Sequence, residues 1–381
     1  MLRIALLTYS TKPRGSVVHT WELATALADL GHTVCVYALD KDGLGFERSA
    51  NFEVQLVAAK PAPTSLDDLI KQRIQEFVDA LSQELAQYDI YHSQDCIGAN
   101  ALVKLRQQKK LQHVVRTVHH IEDYQSIYLR ECQDKSIRLP DLCLCVSDRW
   151  QVALQKEYQI IAPRVINGVN VNRFSPERSG QETRLKRIYG INGNPVYLTV
   201  GGIEPRKNSL NLLRAFAQVR AQQPVAQLVI VGGATLFDYQ DYRDRFFQLA
   251  KQLGIEVGQS LILPGVVSDA DLPAMYRCGD VFCFPSLKEG WGLVVMEAIA
   301  AGLPIVLSDQ SPFTEFMGVD QACWVDPQLP SSIARGMLKL THDQLRINLV
   351  AKSRAILPNY SWPHSAQLHV AHYRQLIAAA G

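Results

Sequence analysis

Two carboxylates stand at the ends of a short glycine-bearing stretch, Glu289-Gly290-Trp291-Gly292-Leu293-Val294-Val295-Met296-Glu297. The apolar run before it, Val281–Phe284, reads as a strand, and the residues after Gly292 read as a helix. Gly290 and Gly292 let the backbone approach a ligand closely, and the first N–H groups of the helix are placed to hold a phosphate. A carboxylate beside a phosphate is unfavourable unless it faces hydroxyls. The pair therefore points to a sugar or ribose bound next to a diphosphate. The plainer reading is that the glutamates only complement the dipole of their helix.

Other candidates carry less. Asp269 and Asp271 have a spacing that could hold a divalent ion, but they lie between an apolar strand and a helical pattern, which predicts a helix cap. His119-His120 with Glu122 and Asp123 could suggest a metal site. Adjacent residues on an extended strand face opposite ways, so both histidines would not reach one ion, and no metal is expected. Lys104, Arg106, Lys109, Lys110 and Arg116 read as a solvated basic face, with peripheral docking on anionic lipid headgroups as the alternative. Cys143 and Cys145 read as buried reduced thiols on a strand, and no C-x-x-C pair occurs among the eight cysteines. No Ser/His/Asp or Cys/His arrangement stands out. No G-x-G-x-x-G follows the first strand, which disfavours a dinucleotide oxidoreductase.

A scaffold must bring these residues together. The 381 residues suggest two domains at roughly 150 residues each. A net charge of +2 lacks the basic excess of a nucleic-acid binder. No apolar run is long enough to span a bilayer, and the N-terminal run is too short for a signal peptide, so a cytoplasmic protein is expected. Ile4–Leu7, Val34–Tyr37, Val54–Val57, Val114–Val118 and Leu142–Val146 read as strands buried on both faces. Val17, Val18, Trp21, Ala24, Leu27 and Leu30 recur at helical spacing, closed by Gly31. Ser65 and Asp68 resemble a capping box opening a helix with Leu66, Ile70, Ile74, Phe77, Leu81 and Leu85 on one face. From Ile166 to Ile191 the chain turns polar and turn-rich. Alternation then resumes with strands at Val196–Val200, Leu228–Val231, Leu261–Leu263, Val281–Phe284 and Ile305–Leu307, and Trp362–Ala380 reads as a last helix. This predicts an α/β protein of two doubly wound parallel-sheet domains facing a cleft, over 1–172 and 173–360. A terminal helix over 361–381 is free to pack back on the N-terminal domain.

Within this frame the stretch E-G-W-G-L-V-V-M-E-A-I-A-A-G-L-P resembles the signature of retaining family 4 glycosyltransferases of the GT-B fold. Val165-Ile166-Asn167-Gly168-Val169-Asn170 through Phe174 and Pro176 resembles the family linker. Val200-Gly201-Gly202 through Arg206-Lys207, Gly31-His32-Thr33-Val34 and Thr117-Val118-His119 resemble three further motifs in the family's order.

The resemblance implies a nucleotide-sugar donor as substrate, no cofactor and no metal, and an acceptor hydroxyl on a saccharide, a lipid-linked molecule or a small molecule. It implies that Glu297 accepts from ribose hydroxyls and Glu289 from donor-sugar hydroxyls. Backbone N–H groups around Gly290, Trp291, Gly292 and Leu293 would hold phosphate and sugar, and Lys207 would neutralise the leaving diphosphate. His119 would reach the donor sugar, Gly15 the phosphate or acceptor, and Gly265 and Val266 the base. Gly202 stands where the family commonly has arginine. Arg206 is the candidate substitute, which requires an irregular backbone around Pro205, since neighbours in regular structure point apart. A sugar-nucleotide epimerase or phosphorylase of the same architecture, or a noncatalytic nucleotide-sugar-binding subunit, are the alternatives.

Overall fold

The computed structural model describes residues 1–83, 88–233 and 239–380, and Leu85 lies outside them. Its compact units are Met1–Gly168 with Tyr360–Gly381, and Val169–Asn359.

The first unit holds β1 (Arg3–Thr8), β2 (Thr33–Asp40), β3 (Glu53–Ala58), β4 (Ile90–Ser93), β5 (Val114–Val118) and β6 (Leu142–Cys145). They form one parallel sheet in the order β3-β2-β1-β4-β5-β6. Helices cover it, and Leu7, Tyr37, Phe77, Leu102 and Leu105 are buried between sheet and helices. The expectation of burial on both faces fails for β3. It pairs only with β2, lies at the sheet edge, and leaves Leu56 49% exposed. β4 escaped the sequence reading because Ile90-Tyr91-His92-Ser93 carries two polar residues, which the structure buries completely. The helix Leu66–Gln83 does start with Ser65 Oγ accepting from Asp68 N at 3.2 Å.

The terminal helix Trp362–Ala380 belongs to this unit and packs on the helix Gly15–Asp29. At Gly168 the chain passes so close that a Cβ there would meet the Trp362 backbone nitrogen at 2.4 Å, and only glycine fits.

The second unit holds β7 (Val196–Val200), β8 (Gln227–Val231), β9 (Leu261–Gly265), β10 (Val281–Phe284), β11 (Ile305–Ser308) and β12 (Cys323–Val325). All pair parallel, in the order β12-β11-β10-β7-β8-β9, over a core including Tyr197, Phe216, Phe246 and Met337. Counted within its own unit, each sheet has the same order, and reverses direction between its first and fourth strands. Ligands in such sheets bind beyond the carboxyl ends of the strands at that reversal.

Candidate active site

In the second unit the reversal lies between β7 and β10, and the loops leaving these strands carry the charged groups. After β7 the chain makes a single 3₁₀ turn, Pro205–Lys207, and enters the next helix through Asn208 at φ 60°. This tight turn aims Arg206 and Lys207 at the same carboxylate. Glu289 Oε1 accepts from Lys207 Nζ at 2.7 Å, Ser286 Oγ at 2.7 Å and Arg206 Nη1 at 3.1 Å. Arg206 Nε also donates to Glu204 Oε2 at 2.9 Å. The irregular backbone that joint action of Arg206 and Lys207 requires is present.

The two loops are stapled together. Asn208 Nδ2 donates to the Pro285 carbonyl at 3.0 Å and to the Pro327 carbonyl at 2.6 Å. Ser286 Oγ and Leu287 N both donate to the Arg206 carbonyl, at 2.7 and 2.8 Å. Asparagine is among the few residues that tolerate the left-handed conformation needed at 208.

The electrostatics follow from burial. Burial pushes the Glu289 carboxyl up, but the Lys207 ammonium and the Arg206 guanidinium outweigh it and hold its pKa below the ordinary value. Burial pulls Lys207 down, and the Glu289 charge opposes that pull. Burial outweighs that opposition, and Lys207 ends below its ordinary pKa. Lys207 Nζ also lies 4.3 Å from the centroid of the Phe284 ring.

Beyond Glu289 the glycine loop turns into the helix Leu293–Ala300. Gly292 sits at φ +105°, and a Cβ there would meet Phe313 Cε1 at 2.8 Å. Its N-cap residue, Gly292, has no side chain with which to cap the helix start. Trp291 is buried with its ring stacked on Phe316 at 4.8 Å, while Gly290 and Leu293 are half-buried. Glu297, on the helix, is also buried and accepts from Tyr276 Oη at 2.6 Å. Gly265, at the end of β9, lines a cavity of about 160 Å³ together with Ile203, Glu204 and Gly233. Val266 is 69% exposed.

The stretch Ser268-Asp269-Ala270-Asp271 does stand at a helix start, and Ser268 supplies the capping bond. Ser268 Oγ, not an aspartate, accepts from the backbone at the helix start, from Asp271 N at 3.1 Å. Asp269 is ion-paired with Arg173 at 2.7 Å, and Asp271 with Arg184. Both carboxylates are held by arginines. Among the described residues no group of three or more His, Cys, Asp or Glu side chains could hold a metal.

In the first unit Gly15 opens the helix that follows β1, with nothing within 4 Å of where its Cβ would be. His119 follows β5. Its Nε2 meets Gln94 Oε1 at 3.0 Å, and its ring lies edge-on to His19 at 4.7 Å. Behind it lies a buried histidine cluster: His19 bonded to Asn167 Oδ1 at 2.5 Å, His92 between Tyr373 Oη and Thr117 Oγ1, and His369. Burial, then the neighbouring His19, holds His119 well below its ordinary pKa. Burial takes His19 down to about 4, opposed by its bond to Asn167, and His369 down to about 3. His120 faces away to Glu122 at 2.7 Å.

The basic run is not one solvated face. Arg116 is buried on β5, Arg106 pairs with Asp141, and Lys104 and Lys110 donate to Gln75 and Ser82. Sequence reading missed Ser286, Asn208, Tyr276, Gln94 and His19. Ser286 alone had a local signal, sitting three residues before Glu289.

Two family descriptions match the chain: Glycosyltransferase Family 4 over residues 13–173 and Glycosyl transferases group 1 over residues 181–357. The chain belongs to the family 4 glycosyltransferases. An uncharacterized glycosyltransferase of Methanocaldococcus jannaschii is 26% identical, over 98% of both chains. A phosphatidyl-myo-inositol mannosyltransferase of Mycolicibacterium smegmatis is 28% identical, over 92% of this chain and 87% of its own. Among solved structures, a sucrose-phosphate synthase from Thermosynechococcus elongatus superposes with a TM-score of 0.82 over 100% of both chains at 22% identity. Anabaena HepE in complex with UDP-glucose gives 0.77 at 18% identity, over 98% of this glycosyltransferase and 100% of its own chain. These likenesses establish the GT-B fold. Among the described residues of this glycosyltransferase, no helix is long and apolar enough to cross a membrane.

Proposed function

We propose that the protein is a retaining glycosyltransferase that moves a sugar from a nucleotide-sugar donor to an acceptor hydroxyl without a metal ion. The observation that carries this reading is the convergence of Lys207, Arg206 and Ser286 on Glu289 at the strand reversal, beside the glycine loop. A donor diphosphate entering there meets two cations and a helix start whose N-cap is glycine. Lys207 and Arg206 then stabilise the charge that grows on the leaving diphosphate, and a buried site strengthens that attraction. Glu289, held ionised, accepts from hydroxyls of the donor sugar, and Glu297 from those of the ribose. The cavity at Gly265 takes the base, with His119 assigned to the donor sugar and Gly15 to the phosphate or acceptor. That Asp269 and Asp271 are occupied by arginines supports metal independence, with Lys207 and Arg206 supplying the positive charge. Anabaena HepE, with the same fold, holds UDP-glucose, which supports the donor class.

The test is sugar transfer assayed with excess EDTA, with the anomeric configuration of the product read by NMR. The rate should stay within about twofold of that with magnesium, because no metal is needed to polarise the phosphate. The product should keep the donor's configuration. An EDTA-abolished activity restored only by a divalent ion would overturn metal independence, and an inverted product would overturn retention. Donor consumed without acceptor, or only with inorganic phosphate, would move the reading to an epimerase or a phosphorylase.

A further inference from the structure

The cavity at the carboxyl end of β9 is walled by glycines and aliphatic side chains around one buried carboxylate. Gly232, Gly233 and Gly265 line it together with Ile203 and Leu263, so a flat ring can lie against backbone there. The carboxylate is that of Glu204, which also lines the cavity and is 4% exposed. Gly202 leaves room for it. A Cβ at 202 would lie 2.6 Å from the Gly233 carbonyl oxygen and 3.1 Å from Glu204 Oε1. Glu204 Oε2 accepts from Arg206 Nε at 2.9 Å, and among the described residues no other hydrogen bond reaches this carboxylate. A carboxylate has about four acceptor directions, so both oxygens keep room for a further donor.

A carboxylate at a base site selects for donors, and the bases differ in what they offer it. Guanine presents N1–H and its 2-amino group side by side, matched to the two oxygens of a carboxylate, and makes a paired, charge-assisted contact. Uracil presents a single N–H between two carbonyl oxygens, both of which the carboxylate repels. Adenine presents one amino group flanked by ring nitrogens that carry lone pairs. A buried carboxylate that meets acceptors instead of donors loses its hydration without return. Arg243 also lines the cavity, but it suits an acceptor that each base presents, O6, O4 or N7, and so does not choose among them. The choice falls to Glu204.

We propose that the donor of this enzyme is a guanosine-diphosphate sugar, with Glu204 accepting from N1–H and the 2-amino group of the guanine. The proposal rests on the reading of the Gly265 cavity as the site of the base. It concerns which nucleotide is bound and not the transfer step.

The test is calorimetric titration of GDP, UDP, ADP, inosine diphosphate and xanthosine diphosphate into the full chain, as wild type and as Glu204→Gln. Inosine diphosphate is GDP without the 2-amino group, and xanthosine diphosphate carries a carbonyl in its place. Wild type should bind GDP about tenfold or more tighter than UDP, ADP or inosine diphosphate, the scale of a hydrogen bond to a charged group. Glu204→Gln should bring GDP and inosine diphosphate within about threefold of each other. It should also shift the ratio of xanthosine diphosphate to GDP about tenfold towards the former, since an amide N–H can donate to the added carbonyl. A role confined to holding Arg206 would weaken every diphosphate alike and leave these ratios at their wild-type values. A wild type that prefers UDP or ADP, or a Glu204→Gln variant that keeps the wild-type ratio of GDP to inosine diphosphate, overturns the proposal and leaves the nucleotide-sugar reading standing. If none of the five binds wild type, the nucleotide-sugar reading fails and the proposal fails with it. Should Glu204→Gln not fold, the wild-type preferences and the ratio of GDP to inosine diphosphate in Glu204→Ala decide by the same criterion.

Discussion

At Glu289 a buried carboxylate, a buried ammonium and a guanidinium lie within one hydrogen-bond length, but the two cations are not equivalent. The Lys207 side chain is 12% exposed and that of Arg206 is 40% exposed, so solvent screens the arginine more. Lys207 also spends its bond on Glu289, while Arg206 divides its own between Glu204 and Glu289. Lys207→Ala should therefore lower kcat/KM by about 10²–10³, the range for removing one preorganised group that meets developing charge. Arg206→Ala should cost clearly less, about tenfold or below. Steady-state kinetics on both variants checks the ranking. A Lys207→Ala enzyme within about threefold of wild type would contradict the role given to the lysine. The sequence marked both residues and Glu289, but not that they meet, because that depends on the 3₁₀ turn and on Asn208. A lone asparagine after a lysine announces neither.

At the scale of elements, the terminal helix Trp362–Ala380 carries His369 and Tyr373 into the histidine cluster of the first unit. Burial lowers His369 to about 3 and His19 to about 4, so the folded state keeps both neutral at a pH where the unfolded chain, near 6.5, binds protons. The unfolded state then holds more protons, and stability rises with pH. This contribution is fully present above pH 6.5 and is lost as pH falls towards 4 and 3. Each such histidine contributes a slope of about 1.4 kcal/mol per pH unit in that window. His369→Leu should flatten the pH dependence of the urea midpoint between pH 6 and 4 relative to wild type. An unchanged slope would show that His369 does not titrate this way. The helix was legible in the sequence as a single stretch over Trp362–Ala380. Its tie to His92 was not, since the bonded residues lie 281 positions apart and β4, which carries His92, looks too polar for a strand. β12, three residues long, was equally invisible.

At the scale of the whole molecule, alternation of apolar runs and helical patterns was enough to reveal two doubly wound sheets. Strands buried between helices must be apolar throughout, and that is what sequence displays. The edge position of β3 and the arginine partners of Asp269 and Asp271 depend on contacts distant in the chain, and only the structure shows them. The central claim is that the second unit binds a nucleoside diphosphate through Lys207 and Glu297 without a metal. Its most direct test is calorimetric titration of UDP, GDP and ADP into the full chain in EDTA, with wild type, Lys207→Ala and Glu297→Ala. At least one diphosphate should bind wild type, and at 100 times its dissociation constant should stabilise the fold by about 2.7 kcal/mol. Both variants should bind it about tenfold or more weaker. No binding of any of the three, or affinity unchanged in both folded variants, would contradict the account.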